Sequence, residues 1–194
     1  MTTATFSRPT GWSFDQREVL FGRDIFDDAF VSLDDLATPQ RYGAIRERFA
    51  VPRSAAVPSA ADLAPLHWAI WTVSAVLLAP ALIDGRMLLI DPDELGVVST
   101  DGVVVEHFWA RPSECELRAT PHRVLRVLDA CLGPVADTAA QLSGIRRAAL
   151  DDLVHDAVVA TCTELEGATR DLAGQRARDL VELISHGALR QAAA

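Results

Sequence analysis

The longest apolar run in the chain is "LHWAIWTVSAVLLAPALIDG", Leu66 to Gly85, where single His, Thr, Ser and Asp residues interrupt otherwise apolar side chains. A run with no polar face predicts a helix enclosed on nearly all sides, not an amphipathic surface helix. Asp62 is placed to N-cap this helix and Pro65 falls in its first turn. Pro80 removes a backbone donor and clashes one turn back, so the uninterrupted helix is expected over Leu63 to Ala79. At about 1.5 Å per residue that helix is roughly 25 Å long, short of the roughly 30 Å of hydrocarbon a membrane span must cover. Its flanks carry no basic cluster, and an acidic, turn-rich stretch follows. The expectation is a helix buried inside a folded domain, with no membrane span.

Around this helix the polar and apolar spacing changes character. "RMLLIDP", "LGVVS" and "VVVEHFWARP" read as short strands, with "TDG" as a tight turn before the last, and together predict a small antiparallel meander. Residues 1–37 carry Gly, Pro and paired acids between Trp12, Phe14, Phe21, Phe26 and Phe30, which predicts an irregular wrapping segment with short helical turns. Thr38 and Pro39 start a helix in "TPQRYGAIRERFA", and "VPRSAAVPSAAD" reads as a connector. From Thr120 the pattern is helical. "PHRVLRVLDACL" is expected to break at Gly133 and Pro134 and resume in "PVADTAAQL". Ser143 is expected to cap "GIRRAALDDLVHDAVVATCTELEG", and a last helix to run within "TRDLAGQRARDLVELISHG". The fold class is therefore α+β, a mainly helical single domain with a small antiparallel β-meander. It comprises an N-terminal wrapping segment and helix (1–60), the buried helix and meander (61–119) and a helical region (120–194).

Composition narrows the function classes. With 194 residues, 49% of them hydrophobic and 23% charged, the chain can bury one core without disulfides. A net charge of −9, with the basic residues spread along the chain, argues against a nucleic-acid surface. Every basic residue other than His is Arg, and the missing Lys excludes Schiff-base chemistry, pyridoxal phosphate attachment and a Walker lysine. Cys115, Cys131 and Cys162 form no Cys-x-x-Cys pair, so they make no zinc or iron–sulfur ligand set and read as small buried hydrophobes. Their odd number, and a start that is not a basic-then-apolar leader, point to the cytoplasm. No Gly-x-Ser-x-Gly, His-Glu-x-x-His, Gly-x-Gly-x-x-Gly or Walker pattern occurs.

Two groups of residues could carry chemistry. In "LDDLVHDAVV", Asp151 and Asp152 precede His155 at spacings that share one helical face, as a metal site or acid/base pair requires; a solvated acidic face is the plainer explanation. In "EHFWARP", His107 and Trp109 share a strand face, and His67, Trp68 and Trp71 lie on the central helix. Trp and His each offer a flat apolar body with one polar handle, so Trp68, Trp71 and Trp109 are candidate ligand-binding residues. His67, His107 and His155 are candidate acid/base residues. An aromatic stripe is also what an ordinary core contains.

The order of "PLHWAIWTVSAVLLAPALIDGRMLLIDPDEL", "VVVEHFWARP" and "HRVLRVLDACLGPVADTAAQLSGIRRAALDDLVHDAVV" resembles the FhuF-like ferric-siderophore reductases over about Leu63 to Leu165. The resemblance implies an apolar Trp-containing helix ending in Pro, short strands, a long helical region and a ligand cleft. Family members reduce iron with a [2Fe–2S] cluster held by C-terminal cysteines. No cysteine follows Cys162 here, so no [2Fe–2S] cluster is expected. The family's Leu-Trp-x-Asn motif reads "ALDD", with Leu150 for Trp and Asp152 for Asn. The implied function is cluster-less iron–siderophore handling, in which a small-molecule ligand is bound in a Trp/His-lined cleft. The alternative is an enzyme of specialised metabolism, cofactor-free or metal- or haem-dependent, that reuses the cleft. A third reading is a helical interaction protein whose aromatics are all core. The sequence leaves open both the resident cofactor and whether the chain joins a protein partner or a homo-oligomer.

Overall fold

A computed structural model describes residues 19–21, 29–49, 60–99, 107–111, 116–168 and 172–185. The segment carrying Trp12, Phe14 and Phe26, the connector at 50–59, the Asp101–Gly102 turn and Cys115 lie outside the described residues. The chain folds as an α+β domain, mostly helical with a small antiparallel sheet.

The apolar run forms the centre. A 3-10 turn at Ala60–Leu63 leads into α3 (Ala64–Val73), a π-helical turn at Ser74–Leu78 and α4 (Ala79–Ile83), all one continuous helical rod. By length and composition this rod could cross a membrane, but 83% of its most apolar window is buried within the protein. The helix therefore does not end at Ala79 as Pro80 suggested. Pro80 is buried, and a carbonyl left without its donor there could not turn to water. The backbone instead widens into the π turn, where the Ala79 N–H donates to the Ser74 carbonyl, and continues past the proline. Nor does Asp62 act as N-cap. It sits within the 3-10 turn, and Leu63 holds the cap position without a side-chain bond.

Both ends of the rod are tied by other elements. On α2 (Pro39–Phe49), Tyr42 Oη donates to the Asp62 carbonyl at 2.9 Å, and one turn on, Arg46 Nε lies 3.8 Å from the Asp62 carboxylate. Arg46 also donates to the Leu142 carbonyl at 2.7 Å, fastening the end of α5 (Pro121–Ser143) to the same junction. At the far end, Arg176 Nη1 on α7 (Leu172–Ser185) donates to the Leu82 and Ile83 carbonyls at 2.9 and 2.8 Å. Terminal carbonyls have no partner within their own helix, and a cation suits the negative end of the dipole. Gly85 then turns the chain at φ +68°, with the Arg176 guanidinium packed where a Cβ would stand.

The strands are β1 (Val19–Phe21), β2 (Phe30–Ser32), β3 (Arg86–Leu88), β4 (Leu95–Val98), β5 (His107–Ala110) and β6 (Glu116–Arg118). The antiparallel sheet is present, but its membership differs from the meander read off the sequence. β3 leaves to pair with β6, while β4 pairs antiparallel with β5 and β2, and β1 adds in parallel beside β5. Leu95, Val97, Phe108 and Ala110 are buried against the core. Gly96 lies across from Trp109 on β5 and Ser32 on β2, and a Cβ there would meet the Val31 carbonyl and come within 2.8 Å of Ser32 Cα. A short helix, α1 (Leu33–Leu36), follows β2 behind a reciprocal cap. Asp35 N donates to Ser32 Oγ at 2.9 Å, and Ser32 N to Asp35 Oδ2 at 3.1 Å.

Helix α5 runs unbroken through Gly133 and Pro134, against the expected break. Its buried stripe of Val124, Leu125, Leu128, Cys131, Leu132, Val135, Ala136 and Ala139 keeps helical spacing across the proline. Pro134 and Ala130, whose carbonyl loses its donor, both face solvent, so water can take that bond. Ser143 is the last residue of α5 and not the cap of the next helix. Gly144 ends α5 at φ +72°, and α6 begins at Arg147 and runs to Ala168. Arg147 closes the α5–α6 hairpin through Asp137 at 2.7 Å, the Gly133 carbonyl at 3.3 Å and Asp151 one turn along α6.

Two glycines test this packing. Gly96→Ala forces β2 and β4 apart and is expected to lower stability by about 1–3 kcal/mol. Gly43→Ala on α2 meets nothing within 4 Å and is expected to raise it by roughly 0.5–1 kcal/mol. Urea unfolding of the two variants beside wild type checks both signs.

Candidate functional site

From Ala64 to Leu82 every side chain is buried except His67 and Trp71, which are half-buried. They stand one turn apart and therefore share one face of α3. That stripe is where the central helix meets solvent or a ligand. It carries a nitrogen handle beside an indole, the pairing that suits a large, partly polar molecule.

Burial lowers the His67 pKa from its ordinary 6.5, because the charged imidazolium loses hydration. The ring is therefore neutral at pH 7, in the form that can accept a proton or a hydrogen bond.

The other aromatic candidates belong to the core. Trp68 is 3% exposed and meets Phe49 of α2 edge-on, with ring centroids 5.7 Å apart. Trp109, also 3% exposed, meets Phe30 of β2 edge-on at 5.0 Å. These are two separate aromatic pairs, one joining α2 to α3 and one joining β2 to β5 across the sheet. The His107 backbone lies in β5, in register with Val98, and its side chain falls outside the described residues.

The acidic face of α6 is placed as the spacing predicts, but each described group has nearby company. Asp151 is exposed and ion-paired with Arg147, Asp152 is exposed, and half-buried His155 has Nδ1 3.4 Å from Asp156 Oδ1. Among the described residues no group of three or more His, Cys, Asp or Glu side chains is placed to hold a metal ion. The face is instead an Arg-bridged surface. Arg147, four residues before Asp151, was the sequence signal for that reading.

Cys131 and Cys162 are buried free thiols, and burial pushes both pKa values up to about 12. A thiolate is what reacts or binds metal, so these groups are inert packing residues in the folded state.

Two outcomes follow from the burial. His67 binds a proton less readily folded than unfolded, so stability is unaffected above about pH 6.5 and falls as the pH drops below it. Urea midpoints from pH 8 to pH 5 are expected to show this acid-side loss in wild type and a smaller one in His67→Gln; parallel curves would refute it. In a Cys115→Ser background, Cys131 and Cys162 are expected to resist Ellman's reagent at pH 8 and to react fully in denaturant.

Compared with known protein families, curated proteins and solved structures, the chain matches none.

Proposed function

We propose that this chain is a cytoplasmic, cluster-less FhuF-like protein of iron–siderophore handling, which binds a siderophore-like ligand over the His67–Trp71 stripe without a redox centre of its own. One observation carries the reading. A helix otherwise enclosed along its length leaves a His and a Trp, one turn apart, as its half-buried face. A hydroxamate complex presents an apolar rim and peripheral carbonyl and amide groups, which an indole and a neutral imidazole complement. The sequence resemblance over Leu63 to Leu165 supplies the ligand class. A net charge of −9 favours neutral or cationic complexes over anionic ones.

A second reading uses the same stripe for an enzyme of specialised metabolism, with His67 as general base. The imidazole held neutral by burial favours it, since a base must be unprotonated at the working pH.

Titration with ferric desferrioxamine B, followed by tryptophan fluorescence, tests the binding proposal. Saturable quenching is expected, and the non-quenching gallium complex is expected to compete it away. Trp71→Phe is expected to weaken binding about tenfold or more, as loss of an aromatic anchor does, while Trp68→Phe leaves it near wild type. No saturable quenching at high ligand concentration would sink the proposal.

A further inference from the structure

Helix α3 begins without a cap of its own. Leu63 holds the N-cap position with no side-chain oxygen, and Pro65 in the first turn has no N–H. The Leu66 N–H, which an N-cap side chain ordinarily takes, is therefore left without a partner in its own helix. Leu66 is fully buried, so water does not serve it. The partner comes from α2. Tyr42 Oη accepts from the Leu66 N–H and donates at 2.9 Å to the Asp62 carbonyl, the atom that this N–H would meet if the α-helix began one residue earlier. Burial raises the Tyr42 phenol pKa more than the Leu66 bond lowers it, so the hydroxyl keeps the proton that it donates.

The hydroxyl is thus inserted into the hydrogen-bond ladder where the rod begins. The cap carbonyl of Leu63 takes the first intrahelical bond, which at four-residue spacing comes from the N–H of His67. We propose that Tyr42 is a positioning residue for His67: its hydroxyl, supplied across the contact of α2 with α3, caps α3 and sets the turn that presents the imidazole beside Trp71. This rests on the reading of the His67–Trp71 stripe as a binding face and names the residue that fixes its polar half. Without the hydroxyl, the Leu66 N–H and the Asp62 carbonyl are free to close on each other. The α-helix then starts one residue earlier and His67 shifts with it.

Tyr42→Phe keeps the ring and its packing and removes only the two bonds. Thr138→Val is the control, because it removes another hydroxyl bond between elements, from α5 to the Ala37 carbonyl at 2.5 Å, that does not touch α3. In wild type the Leu66 amide is expected to exchange with deuterium only on global unfolding. In Tyr42→Phe the His67 ring pKa, followed by NMR and assigned through His67→Gln, is expected to climb toward 6.5 as the turn admits water. Affinity for ferric desferrioxamine B is expected to fall about fivefold or more in the same variant, and Thr138→Val to change neither quantity. Rapid Leu66 exchange in wild type, an unmoved His67 pKa in folded Tyr42→Phe, or an equal shift in Thr138→Val overturns the proposal. Failure of wild type to bind ferric desferrioxamine B defeats the binding reading alone, and the Leu66 exchange and His67 titration still decide the cap.

Discussion

The structure depends on enclosing an apolar helix while still bonding its ends. Each large apolar side chain fully buried along Ala64–Ile83 contributes roughly 1.5–3 kcal/mol, so the rod is a large source of stability. A buried carbonyl without a donor costs about 1–3 kcal/mol, enough to cancel the gain from one side chain at each bare end. Arg176 at Leu82 and Ile83, and Tyr42 at Asp62, meet that requirement. They also dictate where α7 and α2 sit, since each must bring its side chain to a fixed point on the rod. Arg46 extends the same logic by binding the end of α5 to the Asp62 junction, and Thr138 of α5 does so for α1 by donating to the Ala37 carbonyl at 2.5 Å. Helix ends, satisfied from neighbouring elements, thus specify much of the arrangement.

The two interior prolines show how burial selects among backbone solutions. Pro80 and Pro134 look alike in sequence, each following a helical apolar pattern. Pro134 faces water, where a missing hydrogen bond is cheaply replaced, and α5 passes through it as an ordinary helix. Pro80 is sealed in the core, so the missing bond is handled by a wider backbone turn. In α5 the packed faces on either side of Pro134 remain in phase, which offsets the local cost of about 3 kcal/mol for an interior proline.

The same constraint shapes the candidate site. Spacing along the central helix made His67, Trp68 and Trp71 joint candidates, and this much was legible. Which face the fold would leave open was not, because it depends on Phe49 covering Trp68 from a helix remote in sequence. Trp109 and Phe30 are likewise joined only by strand register. The acidic residues of α6 were visible as a cluster, but Arg147 pairs with Asp151 and ties it to Asp137 across the α5–α6 hairpin.

Local patterns in the sequence were sufficient for the enclosed helix, for β3, β4 and β5, for the helical second half and for the α+β class, because hydrophobic periodicity and turn chemistry act over a few residues, whereas β1, β2 and β6 were not legible. They also settled the lack of Lys and the spacing of the cysteines. Tertiary structure decided that β3 pairs with β6, that the two prolines interrupt neither helix, and that His67 and Trp71 are the half-buried residues between Ala64 and Leu82. Those outcomes turn on burial and long-range hydrogen bonding, which are properties of neighbours brought together only when the chain has folded.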